Sequence, residues 1–577
     1  MLMLSPTPPP DWRTPFEKGD GNTTATYAET VDFYQRLAAA YPKAVHVRET
    51  GHSDGGAALH EVVVSAPGAA TPAAARKLSR RIVLIQNGIH PGEPEGIDAS
   101  LALVRDLVQQ PARGAVLEHL TLVVVPVYNA DGMLNRGPHS RVNQLGPAEY
   151  GFRGNARNLD LNRDYVKQDS RNARAFAELF QRWQPDVFVE THTSNGADYQ
   201  YTMTLIATLA DKLPPALRDY QNQRLLPALY RRMEKRGWPM VPYVEFEGRT
   251  PESGIQGFSD GPRYSSGYAA LFNTLGMMPE THMLKAFRAR VESTYAFLDE
   301  VLRFVAADAD ALGQARAEAD RQVAAQTEFP LTWILDADKP TETIQFRGYE
   351  ARTTPSEVSG QPRLSYDRAA PFTRPVPYFN TFRPGPAAKR PVAYLIPQAW
   401  GEVVERLQRN GVKLRRLKQD VTLPVEARYV EDFSSPAQPY EGHYLHHGVQ
   451  LRTEENQPRA FQRGDLVAFL DQFAARYLIE TLEPQAPDSF FAWGFFDSIL
   501  QQKEHFSDYV FEDAAADLLQ RDPVLRQALE AQRAADSAFA QDAQAQLEFV
   551  YRRSPYYEPS HRRYPVVRWW GGALPVE

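Results

Sequence analysis

His90 and Glu93 stand three residues apart in RIVLIQNGIHPGEPEG, residues 81–96, directly after an apolar run. Pro91 and Gly92 lie between them. The proline ring fixes one φ and the glycine admits backbone angles that other residues avoid, so the turn can be tight enough to aim an imidazole and a carboxylate at one ion. A catalytic zinc takes three protein ligands and keeps a fourth position open. A lone His-x-x-Glu pair also arises by chance. His192, which ends a second apolar run in VETHTSNG, offers the third ligand. Glu190, two residues earlier on the same strand face, is placed to orient an imidazole, or to serve as an ordinary structural acceptor. The chain contains no cysteine, which excludes disulfides, thiolate ligands and a cysteine nucleophile and leaves His, Asp and Glu to hold any metal.

A second cluster lies between these ligands. YGFRGNARNLDLNRDY, residues 150–165, carries Arg153, Arg157, Asn162 and Arg163. Arginine holds carboxylates through paired hydrogen bonds, and an Asn amide adds orientation. A solvated loop with surface ion pairs is the ordinary alternative, each pair contributing about 0–1 kcal/mol. The apolar residues around it fit a loop pressed on a core.

The elements that must position these groups alternate. Helices are predicted at 26–42, 95–109, 170–183 and 282–305, and strands at 58–67, 81–88, 120–129 and 185–193. This order predicts an α/β domain with a mixed, mostly parallel sheet and helices on both faces. Ligands in such sheets sit beyond the carboxyl ends of strands, where His90 and His192 both fall. From about residue 330 the composition changes: 347–391 is rich in proline and reads as strands and loops, 391–417 as strand–helix–strand, and 522–553 as helix-forming.

The 577 residues exceed one ordinary core. The 43% hydrophobic and 23% charged content is that of a globular chain, and the net charge of −7 with no basic block argues against a nucleic-acid partner. No apolar run reaches the length of a membrane span. MLMLSPTPPPDW lacks the basic region and apolar length of a signal peptide. The sequence leaves the compartment open: periplasmic or secreted if a leader was removed, otherwise cytoplasmic.

Five segments in order resemble the zinc carboxypeptidase family, the carboxypeptidase A-like metallopeptidases: HPGE, YNADG (128–132), FRGNARNLDLNRDY, ETHT and MMPETHM (277–283). The resemblance covers roughly residues 25–305 and suggests a large, bacterial-style member with a C-terminal α+β extension. It implies one zinc ion (Zn2+) per chain on His90, Glu93 and His192, with Glu280 as general base and Arg153 as a donor to the developing oxyanion. It also implies that Asn162 and Arg163 clamp a substrate's terminal carboxylate. The family's substrate-covering tyrosine has no clean match: Phe258 stands near the expected spacing, while Tyr264 and Tyr268 lie closer to Glu280. Tyr264 is the preferred candidate, with Arg263 beside it as a further substrate contact.

The expected layout is an N-terminal extension at 1–25, a catalytic domain at 26–328, a proline-rich β/loop unit at 329–390 and an extension of unassigned role at 391–577. The expected substrate is a peptide or peptidoglycan-type molecule cut near a free carboxylate. A zinc deacylase of N-acyl amino acids, of the aspartoacylase kind, is the alternative, and a non-catalytic binding protein on the same fold is a third reading. LHHGVQ (445–450) pairs two histidines, which point to opposite faces if the segment is a strand. SFFAWGFFD (489–497) and VVRWWGG (566–572) read as core or interface.

Overall fold

A computed structural model describes residues 11–246 and 248–577. The first ten residues of the expected N-terminal extension, and most of MLMLSPTPPPDW, lie outside the described residues.

Ten strands belong to the first half of the chain: β1 (Val45–His52), β2 (Ala58–Val64), β3 (Arg81–Gln86), β4 (Leu120–Val125), β5 (Val187–Glu190), β6 (His192–Ser194), β7 (Met203–Ala207), β8 (Met240–Pro242), β9 (Ile255–Gln256) and β10 (Leu275–His282). All but β9 form one sheet in the order β1-β2-β4-β3-β5-β10-β7-β8, with β6 also pairing β10. The centre is parallel: β3 runs with β4 and β5, and β10 with β5 and β6. Antiparallel pairs flank it, β1 with β2, β2 with β4 and β7 with β10.

Side-chain alternation explains the continuous apolar run of β3. Ile82 and Leu84 enter one core with Phe176, Phe180, Trp183 and Tyr268, while Val83 and Ile85 enter another with Leu101, Val104, Phe297 and Val301. Both faces are covered, so neither register position is polar. The helices start where capping residues stand: Thr26 and Glu29 form a capping box for Tyr27–Ala40, and Ser170 caps Arg171–Trp183. Two expected elements change shape. The strand read at 185–193 is two strands interrupted at Thr191, and the helix read from 282 starts at Phe287, because residues through His282 continue β10.

The C-terminal half adds a long hairpin, Glu342–Pro355 with Pro362–Phe379, whose last residues run parallel to β9. Pro371, Pro375 and Pro377 are tolerated there because that strand is free on its second edge except at Tyr378 and Phe379. A six-stranded antiparallel sheet follows, with Ala393–Ile396 and Val567–Trp569 near its middle. The segment read as helix-forming at 522–553 is three helices, capped at their starts by Asp522, Asp536 and Asp542. The extension shares a core with the catalytic sheet: Tyr394, Tyr477 and Phe490 belong to the same cluster as Leu84 and Phe180, and Phe272 stacks on Tyr477 at 5.5 Å.

Candidate metal centre and catalytic cleft

β3 and β5 are neighbours in the sheet, and the loop after β3 together with the start of β6, just past the end of β5, brings the three expected ligands together. His90, Glu93 and His192 each offer an atom within 4.8 Å of the other two, and all three are buried. Glu93 is reached by Nδ1 of His192 at 3.0 Å and faces Nδ1 of His90 at 3.3 Å. The opposite nitrogen of each ring is held by a carboxylate. His90 Nε2 meets Asp160 Oδ1 at 2.9 Å, and His192 Nε2 meets the fully buried Glu190. His90 Nδ1 is left buried with no hydrogen-bond partner among the described residues. Two imidazoles with carboxylate-anchored outer nitrogens, a carboxylate and an orphaned inward nitrogen fit a zinc ion.

Glu93 is further held by the backbone N–H of Thr193 at 2.9 Å and by Arg141 Nη2 at 2.9 Å. Burial pushes its carboxyl up, but the charges of His90 and Arg141 and the hydrogen bond from His192 outweigh burial and hold it well below the usual carboxylate range.

Glu280 lies on β10 directly across from His192 in the β6–β10 register. Burial raises its carboxyl; His192 and His90 oppose that, Glu93 and Glu190 add to it, and the result is about 7. Arg153 lies between the His90–Glu93–His192 group and the 160–163 turn: its Nε donates to Asp160 at 3.0 Å, and its Nη1 is 3.6 Å from Glu93. Asn162 and Arg163 sit in a short 3-10 turn started by Asp160, whose side chain accepts from Asn162 N at 2.9 Å. The Asn162 amide also lies 3.2 Å from His192 Nε2. The ring of Tyr264 covers the Arg163 guanidinium at 4.6 Å and meets Phe258 edge-on at 5.1 Å.

Eight of the nine expected site residues, together with Phe258 and Tyr243, line one cavity of about 180 Å³. Arg263 is the one that does not. Its Nε donates to Asp488 at 2.7 Å and its guanidinium lies over Trp493 at 5.0 Å, so it ties the catalytic domain to the extension. The tyrosine candidates also separate: Tyr264 lines the cavity, whereas Tyr268 is fully buried and donates to Asn410 at 2.7 Å. Of the LHHGVQ pair, His446 is buried and precedes the strand that His447, exposed, begins. Of SFFAWGFFD, Phe490, Phe491, Trp493 and Phe496 are core.

Sequence reasoning passed over four residues. Asp160 had a signal, since it precedes Asn162 and Arg163 in DLNR. Arg141 stands in HSRVNQLGP with nothing local to mark it. Tyr440 and Glu441 come from the extension, where Tyr440 accepts from Arg163 Nε at 2.8 Å and Glu441 accepts from Asp160 N at 2.8 Å.

The sequence profile of the zinc carboxypeptidase family matches residues 30–210. Carboxypeptidase 2 of Trichophyton tonsurans is 25% identical over 495 residues, spanning 82% of this chain and 85% of the relative. Carboxypeptidase 2 of Trichophyton rubrum is 24% identical over 494 residues, again 82% and 85%. Residues 1–328 are 57% of the chain (328 of 577), so an alignment spanning 82% necessarily enters the extension. Among solved structures, a metallo-carboxypeptidase from Burkholderia cenocepacia superposes with a TM-score of 0.37 at 16% identity, over 49% of this chain and 70% of that one, a likeness too partial to bear on the assignment. Among the described residues no helix is long and apolar enough to cross a membrane. Residues 30–210 thus carry a zinc carboxypeptidase domain, the chain resembles the Carboxypeptidase 2 relatives over most of its length, and a large extension follows that domain.

Proposed function

We propose that the protein is a zinc-dependent carboxypeptidase that hydrolyses the peptide bond next to a free C-terminal carboxylate. One observation carries this reading: a His-Glu-His donor set, a carboxyl tuned to about 7 and an arginine–asparagine pair line the same small cavity. Zinc, when held by His90, Glu93 and His192, supplies Lewis-acid activation of a water and of the scissile carbonyl.

The chain's own residues do the rest. Asp160 and Glu190 hold the two imidazoles by their outer nitrogens, so their orientation is set before any ligand arrives. The Glu280 carboxylate takes a proton from the attacking water and returns it to the leaving nitrogen, work for which a pKa near neutrality is suited. Arg153 donates to the oxygen on which negative charge develops. Asn162 and Arg163 receive the terminal carboxylate, and Tyr264 closes over it. The clamp confines cutting to a chain end.

Matched peptides with free and amidated C-termini test the proposal, assayed with metal-replete and chelator-treated protein. About one zinc per chain is expected, with activity lost on chelation and regained on zinc addition. The free-acid peptides should be strongly preferred. Equal turnover of the amides, or turnover of acyl amino acids with peptides inert, would defeat the carboxypeptidase reading.

A further inference from the structure

We infer that the C-terminal extension completes the active site, with Tyr440 acting as the positioning residue for the Arg163 carboxylate clamp. The inference rests on the clamp role proposed above for Arg163.

Arg163 carries three close constraints, and its Nη1 also lies 3.8 Å from Asp160 Oδ2. Its Nε donates to the Tyr440 hydroxyl at 2.8 Å, its Nη1 donates to the carbonyl of Asn162 at 2.8 Å, and the Tyr264 ring covers its face at 4.6 Å. Nη2 and the second proton of Nη1 make no hydrogen bond among the described residues. A guanidinium can meet a carboxylate bidentately by its side, through Nε and one Nη, or by its end, through both Nη atoms. Tyr440 occupies the side, so the end is left to meet the ligand.

Tyr440 is itself fixed. Its ring stacks on the buried Trp493 at 6.2 Å with 17° between planes, and Arg263, anchored by Asp488, lies over both rings. Two neighbours fasten the same loop to the catalytic domain. Glu441 accepts from the backbone N–H of Asp160, the residue whose side chain holds His90. His443 Nε2 meets Asp169 at 2.7 Å. Glu441 has φ +51 and Gly442 φ +82, a left-handed pair that turns the chain back between these anchors. The loop thus reaches both the clamp and the carboxylate behind a metal ligand.

Tyr440→Phe keeps the ring stack and removes only the acceptor, so it is the variant of choice. Steady-state kinetics on a dipeptide with a free carboxylate and on its C-terminal amide, with zinc content and melting temperature measured alongside, read the effect. The expected result is a KM for the free acid raised about ten-fold, the scale of one hydrogen bond to a charged group. The kcat should stay within about two-fold, the amide rate should not change, and zinc content and melting temperature should match the parent. An unchanged KM, or an equal loss on acid and amide, overturns the role of Tyr440. Arg163→Ala in parallel separates this from the premise: if the parent enzyme does not discriminate acid from amide, or if Arg163→Ala leaves discrimination intact, the clamp itself is wrong and the inference falls with it.

Discussion

At the scale of single residues, the cleft works by opposing burial with charge. Glu93 and Glu280 are both buried carboxyls near the same two histidines, yet one is pulled well below the usual range and the other raised to about 7. Glu93 receives Arg141 and a backbone N–H, whereas no cation is among the main influences on Glu280 besides the two imidazoles. That asymmetry suits one to hold a metal and the other to carry a proton. Glu280→Gln should keep zinc, by metal analysis, while kcat falls about 10²–10⁴-fold, the range of general acid–base catalysis. Retained turnover would remove Glu280 from the role of base. Glu190→Gln should weaken zinc affinity about 10–100-fold in a competitive chelator titration, because the imidazole of His192 loses its charged anchor. Unaltered affinity would show that His192 is oriented by its backbone alone.

At the scale of elements, the site depends on how closely one helix approaches one strand junction. Helix Glu95–Gln109 begins two residues after Glu93, and Gly96 in its first turn packs against Thr191, the residue that separates β5 from β6. A Cβ at Gly96 would overlap the Thr191 side chain and the Asn87 amide. Thr191 is next to His192, so any relief of that overlap moves a ligand. Gly96→Ala should therefore cost about 1–3 kcal/mol in a denaturant melt, the usual scale of overpacking, and should lower zinc affinity as well. A stability loss with unchanged affinity would mean that β6 is held independently of this helix. The parallel β6–β10 pairing sets Glu280 opposite His192, and a slip of one residue would turn the carboxyl to the other face of the sheet.

At the scale of the molecule, the extension is part of the same body as the catalytic sheet. Its core runs without interruption into the Phe180–Trp183 side of the sheet. A chain ending at residue 328 would expose Phe272, which now packs on Phe473 and Tyr477, and is expected to aggregate where the full chain stays monodisperse in size-exclusion chromatography. The extension also carries a buried ionic knot, in which Glu483 is bound by Arg428 and by Arg568 at 2.6 Å and accepts from Tyr394. Burial raises the Glu483 carboxyl, but the two guanidiniums outweigh it and bring it to about 2. A pKa depressed in the folded state supports stability above the unfolded value near 4.5 and loses that support as pH falls toward 2. The difference amounts to about 3 kcal/mol. Urea melts at pH 6 and pH 3 should show about two-thirds of that loss in the parent, and Glu483→Gln should begin less stable at pH 6 and lose less on acidification. Parallel pH profiles for the two proteins would mean that the knot does not set the acid limit.

Much of the cleft is legible in the chain because its chemistry is local. His90 and Glu93 share a turn, Asp160, Asn162 and Arg163 share another, and β3 announces its double burial in an unbroken apolar run. Spacing along the backbone is enough to bring such groups together. Arg263 and Tyr440 show where that logic stops. By residue type and neighbourhood Arg263 suits a substrate contact, yet its guanidinium is taken by Asp488, and Arg163 finds its acceptor in Tyr440. Both partners lie more than two hundred residues away in sequence, |i−j| 225 and 277. No local pattern encodes such a meeting. It arises only when the extension's core closes on the catalytic sheet, so the sequence alone determined which groups share the His90–Glu93 and Asp160–Arg163 turns, while the tertiary structure decided which arginine faces the cavity and what holds it there.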